Sequence, residues 1–137
     1  MAEHIALHIE DDDASAYLFR VALQQVNCSV AVFRVTDGEA GLSFLRRTGK
    51  YSDAPTPDLV VVDLNLPKVS GFEVLENVQA DEKLRAIPTV VLTTSTAEAD
   101  QRRAERMGVR GYLSKPSDYS EFLEQVKGLC AEFLPEH

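Results

Sequence analysis

Residues 59–67 read LVVVDLNLP, so four apolar residues, three of them valine, run straight into Asp63. A carboxylate at the end of a buried run needs partners, and other apolar runs end the same way. IALHI (5–9) is followed by Glu10 and Asp11, VVL (90–92) by Thr93, and RGYL (110–113) by Ser114 and Lys115. Three carboxylates brought within a few ångströms cannot all stay ionised alone, because like charges raise at least one pKa. A divalent cation removes the conflict. Mg²⁺ prefers hard oxygen ligands and keeps several waters, so one or two carboxylates, a backbone carbonyl and waters suffice to hold it. Mn²⁺ is the alternative ion. Phosphate oxygens then find room on the metal, on the Lys115 ammonium and on the Thr93 hydroxyl. A carboxylate so flanked is suited to attack a phosphoryl group, since that transfer depends on positioning and charge neutralisation. Asp63 is the expected acceptor and an acyl phosphate the expected product.

Such a site exists only if the chain folds these stretches to one edge. IALHI reads as a buried strand, and Asp12 or Asp13 opens a helical pattern with Leu18, Val21, Ala22 and Val26. VAVFRV (30–35) is a second strand, after which Thr36 and Glu39 have capping-box spacing. The turn-rich segment TGKYSDAPTP (48–57) leads into strand three, LVVV. Ser70 and Glu73 open a helix through Phe72, Val74, Leu75 and Val78. Ile87 to Thr93 is strand four, with Pro88 where a missing ladder N–H is tolerated. Ser95 and Glu98 open helix four, which Gly108 ends. RGYL is a short fifth strand. Asp118 and Glu121 suggest the cap of a last helix through Phe122, Val126, Leu129 and Phe133.

Strand and helix thus alternate five times, with no repeat, low-complexity run or interdomain linker. Strands one and three are continuous apolar runs, the mark of strands covered on both faces in a parallel sheet. Right-handed crossovers make this an open, doubly wound α/β fold. Its strands share one carboxyl edge, where ligands bind. Glu10, Asp11, Asp63, Asn65, Thr93, Thr94, Ser95 and Lys115 are delivered there.

The 137 residues suit a single domain spanning 1–137. A net charge of −8 argues against nucleic acid or an anionic membrane as partner. Cys28 and Cys130 have no metal or redox spacing and read as buried thiols. The N-terminus is neither a signal peptide nor a membrane span, so a cytoplasmic protein is expected. His4, His8 and His137 show no metal spacing, and His8 reads as packing.

The chain resembles the receiver domain of two-component response regulators, the CheY-like family, over nearly its whole length. HIEDDD resembles the family's strand ending in an acidic pair. VVVDLNLPKVSG resembles its phosphoacceptor segment, VVLTTS its switch-hydroxyl strand, and RGYLSKP its aromatic-x-x-Lys-Pro signature. The resemblance implies five parallel strands in the order 2-1-3-4-5 and phosphorylation of Asp63 by a sensor histidine kinase. It makes Asp11 a direct metal ligand, Glu10 a ligand through water and the Asn65 backbone carbonyl another ligand. Thr93 resembles the switch hydroxyl, Tyr112 the aromatic that turns inward as Thr93 moves, and Lys115 the phosphate-pairing lysine. The Lys115–Pro116 bond is expected to be cis on the same ground. Asn65 and Ser95 flank the expected path of attacking water and are expected to tune the lifetime of the phosphate. The family signals through the face of helix four, strand five and helix five, to a target or phosphotransfer protein. DLNLP, VLTTS and GYLSKP also resemble a subgroup of small regulators paired with phytochrome-type histidine kinases. Its members tend to dimerise, so a homodimer is an expectation.

Some residues depart from the pattern or have blander readings. The first acid is Glu10 rather than Asp, which lengthens one reach to metal. Asp12 and Asp13 are expected to face solvent or cap helix one. Thr94 neighbours Thr93 but should point to the other face. Glu10 alone could be a helix-start anion, and Tyr112 could be plain core. Arg102, Arg103, Arg106 and Arg110 form either a partner patch or ordinary helix pairs such as Glu98–Arg102. After helix five only LPEH remains, so output is expected to be non-covalent or onward phosphoryl transfer. Two rivals stand beside the receiver. A haloacid-dehalogenase-like phosphatase wants a second Asp where Asn65 stands. A degenerate receiver would bind partners without phosphorylation, which the intact acid, hydroxyl and lysine set opposes.

Overall fold

The computed structural model describes residues 3–135; His137 lies outside them. Strand and helix alternate as β1 (His4–Ile9), α1 (Asp13–Gln25), β2 (Val30–Val35), α2 (Gly38–Arg46), β3 (Leu59–Val62), α3 (Gly71–Ala80), β4 (Thr89–Thr93), α4 (Glu98–Arg106), β5 (Gly111–Ser114) and α5 (Tyr119–Phe133). Single 3₁₀ turns at Gly49–Tyr51 and Leu84–Ala86 complete the connections. All pairings are parallel and the strand order is β2-β1-β3-β4-β5. The order reverses between β1 and β3, so the crevice for a ligand opens at their carboxyl ends. Among the described residues, no helix is long and apolar enough to cross a membrane.

The valine run explains why β3 is central. Every β3 side chain is buried, with Val60 and Val62 in the core beneath α2 and α3 and Leu59 and Val61 in the core beneath α1 and α5. Each such burial contributes roughly 1.5–3 kcal/mol, which makes β3 a firm base for the polar residues that follow it.

Local chemistry sets the helix ends, with differences from expectation. Asp12 caps α1 by accepting from the Ser15 N–H at 2.9 Å and the Ser15 hydroxyl at 2.7 Å. Ser70 and Glu73 form the expected capping box. At α2 the cap is Asp37, which accepts from the Ala40 N–H at 2.7 Å, and Thr36 lies one residue too early. Asp is the better cap of the two. Ser95 does not cap α4, whose N-cap is Ala97. Its hydroxyl instead donates to Asp100 at 2.7 Å and accepts from the Ala97 N–H at 3.3 Å. Gly108, at φ +84°, follows the end of α4 as expected. Asp118 caps α5 through the Ser120 N–H. The buried face of α1 is Ala16, Phe19, Ala22 and Leu23 rather than the stripe through Leu18, which is exposed. Cys28 and Cys130 are half-buried, not buried, because both stand at the margin of the α1–α5 core.

Candidate functional site

The three acids meet. Glu10, Asp11 and Asp63 each offer a carboxylate oxygen, and these atoms lie within 4.8 Å of one another. Glu10 follows β1 and is 0% exposed, Asp63 follows β3 and is 6% exposed, and Asp11 is exposed. Lys115 follows β5 and reaches back across the edge. Its ammonium donates to Glu10 Oε1 at 2.5 Å, to Asp63 Oδ2 at 3.2 Å and to Ser15 Oγ at 3.4 Å. The other Asp63 oxygen accepts from the Asn65 N–H at 3.2 Å.

Burial disfavours charge on Glu10 and on Lys115. It pushes the Glu10 carboxyl above its ordinary value, against the pull of the Lys115 hydrogen bond and charge, while Asp63 adds to the rise. Burial also opposes the Lys115 ammonium, but the Glu10 hydrogen bond and the Asp63 and Glu10 charges outweigh it and hold the group above 10.5. One cation cannot neutralise three carboxylates. The remaining deficit, together with an all-oxygen donor set, fits a divalent metal ion.

The neighbouring expected residues take up these positions. Thr93 is 0% exposed, and its hydroxyl accepts from the Ser95 N–H at 3.2 Å. Thr94 lines a groove with Leu92, Leu18 and Lys115, on the other face from Thr93 as the strand period requires. Tyr112 is half-buried, its ring packs on the α2–α3 side of the core, and its hydroxyl is buried with no hydrogen-bond partner among the described residues. Asn65 is exposed and Ser95 half-buried, both beside the acid cluster in sequence. His8 is buried against the Phe19 ring at 4.6 Å, as its packing reading required. Burial, then the Lys115 and Arg34 charges, push its pKa down to about 3. The Lys115–Pro116 bond is trans, against the cis expectation. Trans is the lower-energy isomer by about 0.5–1 kcal/mol.

Two residues at the edge, Arg34 and Ser15, escaped sequence reasoning, and a third, Gly71, belongs to the VVVDLNLPKVSG segment already singled out. Arg34, the one charge inside VAVFRV, donates from Nε to the Glu10 carbonyl at 3.0 Å and from Nη1 to Asp13 at 2.8 Å. Asp13 faces solvent as expected, and pairs there with Arg34. A charge within an apolar strand was the available signal. Ser15 joins the Asp12 cap to Lys115, a link that no local pattern announces. Gly71 opens α3 against the Asp63 main chain, where any Cβ would overlap the Asp63 carbonyl and the Leu64 Cα. Its position eight residues after Asp63 carried that message.

A parallel sheet in this order, with buried acids and a lysine at the carboxyl edge, defines a receiver. Residues 6–127 match the response regulator receiver domain, and the chain belongs to that family. Its members act in two-component signalling rather than as enzymes of the usual kind. The chain is 40% identical over 130 residues to the probable methanogenesis regulatory protein FilR2 of Methanothrix harundinacea, covering 95% of this chain and 83% of FilR2. It is 34% identical over 130 residues to the response regulator Rcp1 of Synechocystis sp., covering 95% of this chain and 88% of Rcp1. The crystal structure of Mn²⁺-bound Rcp1 superposes with a TM-score of 0.90, covering 98% and 96% of the two chains. That of the phosphorylated cyanobacterial phytochrome response regulator RcpA superposes with a TM-score of 0.91 at 36% identity, covering 97% of this chain and 95% of RcpA.

Proposed function

We propose that this receiver is cytoplasmic and accepts a phosphoryl group on Asp63 from a phosphohistidine of a sensor histidine kinase, with Mg²⁺ as the resident ion. The observation that carries the reading is the Lys115 ammonium held between Glu10 and Asp63, beside Asp11. Asp11, Asp63 and the Asn65 carbonyl would hold the ion directly, and Glu10 through water. When bound, it neutralises phosphate oxygens and the charge that develops in transfer. An Asp63 oxygen attacks phosphorus, the O–P bond forms, and the donor's P–N bond breaks with its electron pair returning to the histidine. Lys115 moves from Asp63 Oδ2 to a phosphate oxygen. Thr93 exchanges the Ser95 N–H for the phosphate by donating its hydroxyl proton. The manganese-bound Rcp1 and the phosphorylated RcpA support the ion and the modification by similarity.

The output we propose is a two-state shift of the α4–β5–α5 face, read by a downstream protein. Tyr112 supports it. An unpartnered buried hydroxyl costs about 1–3 kcal/mol, so the Tyr112 position seen without phosphate is not deeply favoured and a small change at Thr93 can move the balance. Asn65 and Ser95 would then set how readily water reaches the acyl phosphate.

The test is incubation with acetyl phosphate, with and without Mg²⁺, followed by intact mass. One phosphate is expected, only with metal, and none on Asp63→Asn. Absence of the gain in folded protein would leave the degenerate receiver standing. Thr93→Ala should accept phosphate yet lose the coupling to the α4–β5–α5 face, and full coupling in that variant would overturn the switch.

A further inference from the structure

At the opposite edge of the sheet, the fold joins two residues that lie far apart in the chain. Cys28 sits in the turn between α1 and β2, and Cys130 in the last turns of α5. Both line one cavity of about 280 Å³, together with Lys127 and Leu134. Both are thiols, half-buried at the rim of the same core. The two side chains are near enough for Cys28 to raise the pKa of the Cys130 thiol. Cys28 also lines a second cavity of about 170 Å³, shared with Arg20 and Gln24.

We propose that Cys28 and Cys130 are a dithiol modification site, which a hydroperoxide converts to an intramolecular disulfide strapping the end of α1 to the end of α5. A disulfide needs sulfurs about 2.05 Å apart. Side chains that line one cavity at the rim of one core reach that by a displacement of one helix end. The two thiols are not equivalent. Burial, then the hydrogen bond and charge of Cys28, push Cys130 up to about 12, so it stays protonated. Cys28, with Lys127 and Arg20 lining its two cavities, is the first nucleophile. Its thiolate attacks the peroxide, an S–O bond forms, the O–O bond breaks, and the departing oxygen takes a proton to become alcohol or water. The resulting sulfenic acid carries no thiolate charge, which removes one cause of the Cys130 elevation. Cys130 then attacks the Cys28 sulfur, the S–S bond forms, and hydroxide leaves with the Cys130 proton as water. Two thiols lose two electrons and two protons, and the peroxide bond takes up both electrons.

The chain has only two cysteines, so intact mass assigns the bond without mapping. The full chain is treated with a slight excess of hydrogen peroxide, denatured, and alkylated with N-ethylmaleimide. The expected product is monomeric, lighter by two hydrogens and free of maleimide, and dithiothreitol restores both adducts. Its melting temperature should rise by roughly 5 °C or more, because the strap closes a long loop. Cys130→Ser should accumulate a sulfenic acid trapped by dimedone, and Cys28→Ser should oxidise at least about tenfold more slowly. Two maleimide adducts after treatment, sulfinic acid alone, or a disulfide-linked dimer would each overturn the proposal. The wild-type measurement stands even if a serine variant fails to fold.

Discussion

The carboxyl edge of the sheet and helix α4 carry the same kinds of charged residue, yet use them differently. At the edge, Glu10 and Asp63 are buried and share a single ammonium. On α4 only Ala104 is buried. There Arg102 meets Glu98 at 3.4 Å, and Arg103 reaches Glu76 at 3.5 Å while lying over the Phe72 ring at 4.1 Å. Water screens the helix pairs, so each is worth little. At the edge Glu10 and Asp63 are buried and little screened, so each charge there is felt by its neighbours and by any ion or phosphate that enters. Position at the end of a buried strand, rather than residue type, sets how strongly a carboxylate feels its neighbours. Two of the four arginines weighed as a partner patch are already paired on the helix surface.

The sharpest way to test this contrast is through His8, buried two residues before Glu10. Its pKa lies at about 3 against an ordinary 6.5, so the unfolded chain binds the extra proton and the folded chain does not. Its contribution to stability is whole above pH 6.5 and is lost as pH falls toward 3, by up to about 5 kcal/mol. Urea denaturation across that range should show the loss in the wild type and a flatter profile in His8→Gln. Equal profiles would place the acid sensitivity elsewhere. Next is Lys115→Met, which leaves Glu10 and Asp63 without their ammonium. It should cost roughly 3 kcal/mol in EDTA, and a divalent cation should recover part of that. An unchanged urea midpoint would mean the edge is no more coupled than α4. Smaller again is metal itself: at ten times its dissociation constant, Mg²⁺ should stabilise by about 1.4 kcal/mol. Asp11→Asn should abolish most of the shift in melting temperature without unfolding the chain, since Asp11 is exposed. Arg102→Ala should change stability by less than about 0.5 kcal/mol. A loss above twice that would show α4 to be a cooperative network.

What was legible in the sequence follows the range of the forces involved. The β-α alternation, the buried β3 run, the Ser70–Glu73 box and the Gly108 stop are written in neighbouring residues. The meeting of Glu10, Asp11, Asp63 and Lys115 was legible because a parallel sheet gathers all carboxyl ends. Where two adjacent residues could do one job, as Thr36 and Asp37 could, local pattern did not choose between them. Leu18 has a plausible helical period, but it faces the groove shared with Lys115 and Tyr119 rather than the sheet. Arg34 to Glu10 and Cys28 to Cys130 depend on which distant elements pack together, and neighbouring residues say nothing about that.

The seat of Gly71 against the Asp63 carbonyl has one last consequence. With α3 pressed against it, the main chain at position 63 cannot recoil. It acts as an anvil. Under the proposed phosphorylation, the added group is accommodated on the far side, at the end of β4 with Thr93 and in the loop that carries Lys115. Amide exchange at Asp63 and Gly71, whose N–H groups are bonded to the Ile9 and Leu64 carbonyls, should then stay slow in both states, while the stretch after Thr93 changes.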